Sequence, residues 1–174
     1  MRIATFLSAA SLVLMGTMTL AQNITYDFDR ATDFTRLKTF AWVRGPIALD
    51  EINHKRVTDA VNTQLMSKGL VRVDAVDRPD MLVAYHATFD SDVQITGFSS
   101  GWGPYRFGSR SGVARAEEIV TGTLAVDLVN ARTNTIVWRG MATREVDVKA
   151  DPNKRERNIN RAAERLFKNY PPAK

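Results

Sequence analysis

The sequence predicts an α+β fold, a two-layer sandwich in which a mixed, mostly antiparallel sheet carries two helices on one face. Three observations predict it. Period-two alternation recurs in several short runs, two other segments space their apolar residues at helical intervals, and the absence of cysteine leaves burial rather than cross-links to hold the chain together. Each helix has a single apolar stripe, so covering one sheet face together is the economical way to bury both.

The elements follow in order. Asn23 to Asp29 puts Ile24, Tyr26 and Phe28 on one side and Thr25, Asp27 and Asp29 on the other, a half-buried strand near an edge. Lys38 to Val43 is rich in β-formers and stops at Gly45-Pro46. Asp50 can cap a helix over 51–68 in which Val57, Val61 and Leu65 recur every fourth residue with Ile52 and Ala60 beside them, and Gly69 supplies the left-handed stop. Leu70 to Val73 reads as a short strand, Asp77-Arg78-Pro79 as a turn, and Met81 to Phe89 as a strand apolar enough on both faces to be central. Val93 to Phe98 reads as one more strand. The run Thr123 to Leu128, the turn Asn130-Ala131-Arg132-Thr133-Asn134 and the run Ile136 to Ala142 make a hairpin. Ile159, Ala162, Ala163, Leu166, Phe167 and Tyr170 trace the clearest helical period, ended by Pro171-Pro172. Asp151-Pro152 would cap and start that helix well. Lys154, Arg155 and Arg157 would then crowd its positive end, so the core-facing part is placed from Asn158.

The first 21 residues have another character. Arg2 precedes an apolar run from Ile3 to Met15, and small residues stand before Gln22, the pattern of a secretory signal cleaved after Ala21. Ser8, Ser11, Gly16 and Thr17 interrupt a run already shorter than the roughly 20 residues a membrane-spanning helix needs. Removal leaves residues 22–174 as a single domain of about 150 residues with no transmembrane span, enough to bury its own core. The net charge of +5, of which Arg2 is one, is mild and mixed in sign, which fits an anionic envelope surface and gives no argument for nucleic acid.

Five blocks of residues carry a family resemblance: YDFDRATDFTRLKTFAWV, PDMLVAYH, GWGPY, TGTLAVDLVNARTNTIVWRG and LFKNYPP. In this order they resemble the bacterial envelope proteins grouped as domain of unknown function 4136. The resemblance implies a periplasmic or outer-membrane address and an α/β sandwich, and it brings no catalytic residues with it. Many members resemble lipoproteins with Cys directly after the cleavage site. Gln22 stands at that point here, so no lipid is expected and a free periplasmic protein is.

Few residues suggest chemistry. His54 and His86 lie on different elements without ligand spacing, so neither a metal nor a cofactor is expected, and their plainer readings are a solvated helix residue and a partly buried sheet residue. No Gly-x-Ser-x-Gly elbow marks a serine hydrolase. Asp27 and Asp29 share a strand face as a solvated edge rather than a glycosidase pair, and Asp90 and Asp92, placed at a strand turn, lack the rest of a calcium loop. The segment 97–112 stands apart: Phe98, Trp102, Tyr105, Arg106, Phe107 and Arg110 are spaced by five glycines. Its plain reading is a hairpin tip, and its functional one a binding loop for an envelope protein, a glycan or an anionic lipid head group. The first functional reading is thus a non-enzymatic interaction or accessory domain of the envelope. A small-ligand or lipid-binding protein comes second and a hydrolase third. The exported protein is expected to begin at Gln22 without lipid, and an intact mass that retains residues 1–21 would refute this.

Overall fold

The computed structural model describes residues 22–43, 49–97 and 114–172. Among these, six strands form one mixed sheet: β1 (Asn23–Phe28), β2 (Thr39–Trp42), β3 (Val71–Arg72), β4 (Met81–Gly97), β5 (Ala114–Asn130) and β6 (Thr135–Glu145). Their order across the sheet is β1-β6-β5-β4-β2-β3. The pairings β1–β6, β6–β5 and β5–β4 are antiparallel, whereas β2 runs parallel to both β4 and β3. Helices α1 (Glu51–Ser67) and α2 (Pro152–Leu166) cover one face, giving the expected two-layer α+β arrangement.

The core lies between the helices and that face. Val57, Val61 and Leu65 of α1 and Leu166 of α2 meet Phe40, Met81, Val83, Val126, Leu128 and Trp138, all buried. Removing this much apolar surface from water is the main stabilising term. At the C-terminal end of α2 an aromatic cluster closes the layer: Trp138 stacks on Phe167 with centroids 5.0 Å apart, and Tyr170 meets Trp138 edge-on at 5.6 Å and Phe34 at 5.9 Å. Gly140 is required beneath it, because a Cβ there would collide with the Trp138 ring and reach Leu166 at 3.0 Å.

The structure revises several expectations. The runs 81–89 and 93–98 are one strand, paired with β5 without interruption from Met81 opposite Asn130 to Gly97 opposite Ala114, so Asp90 and Asp92 sit mid-strand. The partner strand β6 ends at Glu145, opposite Thr121, so the outer part of the ribbon is built by β4 and β5 alone among the described strands. A register shift between Leu128 and Val129 lets consecutive residues Val137 and Trp138 both be buried while Ile136 turns outward. Ile52 is exposed. It lies five residues before Val57, about 140° around a helix of 3.6 residues per turn, so it leaves the stripe.

Both helices start at their caps. The Asp50 carboxylate accepts from Asn53 N at 3.0 Å, and the Asp151 carboxylate from Lys154 N at 3.0 Å with Pro152 in the first turn. The basic residues at the start of α2 are accommodated because Lys154 pairs with Asp147 at 2.7 Å and Arg155 donates to the carbonyls of Val148 and Ala150. As expected, the core-facing part of α2 begins only at Ile159. Gly69 takes φ of +85°, the left-handed value expected of the α1 stop.

One carboxylate joins the parallel and antiparallel halves of the sheet. Asp80, just before β4, accepts through Oδ2 from Lys38 N at 2.9 Å and from Thr39 N and Oγ1 at 3.0 Å each. Its backbone N–H donates to Thr39 Oγ1, and its carbonyl accepts from Ala131 in the β5–β6 turn. The bond from Lys38 N, aided by those from Thr39, holds the Asp80 carboxyl below the usual carboxylate range. A folded value below the unfolded one stabilises the fold fully above the ordinary carboxylate value of about 3.9, and that contribution is lost as pH falls through the lower folded value. Asp80→Ala is therefore expected to cost about 1.5 to 3 kcal/mol at neutral pH. Urea unfolding should show the gap to wild type narrowing below pH 4, and a gap independent of pH would contradict the ionic role.

Candidate functional site

The helices stop short of the long strands. α1 and α2 run side by side in the same sense, since Lys68 beyond one C-terminus donates to the Lys168 carbonyl beyond the other. Their N-terminal halves therefore reach the same region of the sheet, where β4 and β5 continue past them. The result is a cleft of about 460 Å³ on the helix-covered face. Its floor is Ala87 and Phe89 of β4 with Val120 and Leu124 of β5; its walls are Asn53 and Val57 of α1 and Asn158, Ile159 and Ala162 of α2. Leu49 and the segment from Val146 to Ala150 close its rim. This volume and apolar lining with a few polar groups fit a small-ligand pocket.

The rim segment is tied to α2 by the Lys154–Asp147 ion pair and by the two bonds that Arg155 donates to the carbonyls of Val148 and Ala150. The bond from Lys154, followed by the one from Lys149 N, keeps the Asp147 carboxyl below its usual range. Arg144 differs from these residues. It follows Trp138, Gly140 and Ala142 in the alternation of β6, so it points to the helix side of the sheet opposite Gly122, and it lines the cleft half-buried. Among the described residues it has no acidic partner, and its hydrogen bond goes from Nε to the neighbouring Glu145 carbonyl at 3.1 Å.

A second polar group stands on the opposite sheet face. Asp127 of β5 is buried, and its carboxylate receives Arg139 of β6 through both oxygens, Nε to Oδ1 at 2.5 Å and Nη2 to Oδ2 at 2.6 Å. His86 Nε2 lies 3.7 Å from Oδ2 and is too far for a hydrogen bond. The histidines thus exchange their expected surroundings: His86 is exposed, whereas His54 is partly buried and shares a 2.8 Å hydrogen bond through Nδ1 with the Tyr85 hydroxyl. Burial, and then the Asp50 carboxylate, push the Tyr85 phenol up, so it stays protonated in that pair. A broader groove of about 810 Å³ runs along the outer sides of α1 and α2 past His54, Lys55, Asp59 and Glu156; its charged walls are open to solvent. Among the described residues no three His, Asp or Glu side chains gather to hold a metal.

The loop residues Phe98, Trp102, Tyr105, Arg106, Phe107 and Arg110 lie outside the described residues. Sequence reasoning missed the cleft because its lining belongs to elements read as ordinary core. Arg144 was the available signal, a charge in the apolar register two residues after Ala142.

Comparison with known proteins places these features in context. The sequence pattern of a family described as Domain of unknown function (DUF4136) matches residues 24–172. No curated protein matches the chain. Among solved structures, a PDZ domain protein from Parabacteroides distasonis is similar, with a TM-score of 0.56 at 15% identity over 90% of this chain; this chain spans only 38% of that one. A PelC dodecamer from Paraburkholderia phytofirmans gives a TM-score of 0.51 at 10% identity over 84% of this chain and 95% of its own. At such identities the likeness is one of fold.

The Asp127–Arg139 pair is asymmetric, with side chains 5% and 46% exposed, and this sets an expected order of effects. Arg139→Ala strands a buried carboxylate and should cost about 2 to 4 kcal/mol. Asp127→Asn leaves a guanidinium that water can reach and should cost less. Unfolding midpoints in the reverse order would show that the pair is not held as described.

Proposed function

The chain belongs to the family of domain of unknown function 4136, and on that premise we propose that it is a non-enzymatic binding domain of the bacterial cell envelope whose cleft holds an apolar ligand. The cleft between α1, α2 and the floor of β4 and β5 carries this reading. A fold of this size normally fills the space between its helices and sheet, and space left there with apolar walls favours a guest of matching character. The Asp127 carboxylate is committed to Arg139, which leaves it poorly placed to act as a base. Export is supported by the signal-like first 21 residues, and no helix among the described residues is long and apolar enough to cross a membrane. A second reading, assembly with copies of itself or with another envelope protein, is favoured by the dodecameric state of PelC, to which the fold is similar.

The neutral fluorescent probe N-phenyl-1-naphthylamine tests the first reading. Wild type is expected to enhance its emission, and Ala87→Trp, which fills the floor of the cleft, to weaken binding roughly tenfold or more while the protein stays folded. No enhancement by wild type, or equal binding by a folded Ala87→Trp variant, would remove the cleft as a binding site.

A further inference from the structure

The identity of the guest can be narrowed by Arg144, and the argument rests on the reading of the cleft as a binding site. An arginine in the apolar register of a strand is costly unless something neutralises it, because a guanidinium carries five donors and keeps its charge. Of the cations that line the cleft, Arg144 and Arg155, the second is engaged by two backbone carbonyls, and Lys154 beside it by Asp147. Asp147, the acid of the lining, is in turn taken by Lys154. Arg144 alone among them keeps its terminal nitrogens without a described partner, one donor having gone to the Glu145 carbonyl. Position adds to charge. Arg144, Gly122 and Phe89 lie in one row across β6, β5 and β4, and the space over Gly122 is taken by the Val146 side chain and the edge of the Phe89 ring, so Arg144 stands in the row that carries the apolar floor.

We infer that the cleft binds a single-chain anionic amphiphile, its hydrocarbon lying over Ala87, Phe89, Val120 and Leu124 and its carboxylate or phosphate head bonded to the guanidinium of Arg144. The two halves of such a molecule match the two halves of the site. Apolar walls without a counter-charge would suit a neutral hydrocarbon equally, and a guanidinium without apolar walls would suit a free anion. A bidentate contact in a partly dehydrated cleft is where an arginine discriminates most strongly for an anion.

Isothermal titration of the purified protein with dodecanoate, dodecyl phosphate, dodecan-1-ol and dodecyltrimethylammonium, each below its micelle concentration, tests this. Dodecanoate, dodecyl phosphate or both are expected to bind roughly tenfold or more tightly than the alcohol, with the ammonium weakest. Whichever anion is preferred identifies the head group. Arg144→Gln should bring the anions down to the alcohol's affinity, and Arg144→Lys should restore part of the difference; the wild-type comparison of head groups decides the matter even if a variant fails to fold. Anions that bind no tighter than the alcohol, or a preference that survives in a folded Arg144→Gln protein, would overturn the inference while leaving the cleft a binding site for neutral apolar molecules. Failure of all four amphiphiles and of N-phenyl-1-naphthylamine would overturn both.

Discussion

The sheet changes pairing mode at β4, and Asp80 is what allows it. On one side β4 pairs antiparallel with β5 over seventeen residues; on the other it pairs parallel with β2 over only three. A three-residue parallel pairing has little intrinsic hold on its register. The Asp80 carboxylate supplies it by gathering Lys38 N and both donors of Thr39, and the Asp80 carbonyl ties the same point to the β5–β6 turn through Ala131. With β2 fixed, Phe40 and Trp42 come to the helix side, where Trp42 Nε1 donates to Asn62 of α1 at 2.9 Å. The position of α1, and with it one wall of the cleft, descends from that carboxylate.

The cleft arises from a mismatch of lengths rather than from any motif. Strands β4 and β5 rise about 3.4 Å per residue and the helices about 1.5 Å, so seventeen residues of strand outrun seventeen of helix more than twofold. The aromatic cluster of Trp138, Phe167 and Tyr170 fixes the layers at the C-terminal ends of the helices, where burial also pushes the Tyr170 phenol well up. All the surplus of strand therefore appears at the N-terminal ends. There the segment from Val146 to Ala150 bends back to start α2 and forms a rim, tied down by Lys154 and Arg155, the residues that looked misplaced at a helix start.

What was legible in the sequence follows from how local each signal is. The α1 stripe, its Asp50 cap, its Gly69 stop, the hairpin around Asn130 and the late-starting core face of α2 are each set by neighbours within a few residues, and the structure agrees with them. The single long β4, the shift at Val129 and the outward Ile52 depend on where a partner strand or helix ends, which period and composition do not encode. The same holds for the site. Arg144 was visible as an irregularity in the β6 alternation, but that its guanidinium has no carboxylate partner among the described residues depends on residues distant in sequence. The exchange of surroundings between His54 and His86 has this origin too, since Tyr85 must arrive beside His54 before that ring has a partner.

The brevity of β2 has a cost of its own. After Val83, whose carbonyl accepts from Val43 N, no described strand pairs with β4 on that side, while β5 accompanies it on the other to Gly97. Among the described residues no backbone group pairs with that side of β4 from Ala84 onward, and an unpaired row of this kind is the situation from which edge-to-edge aggregation grows. The residues along that row include His86, Asp90 and Asp92, all exposed. Two like charges two positions apart on one side of the ribbon would make a second copy in register meet repulsion at both, which opposes such pairing.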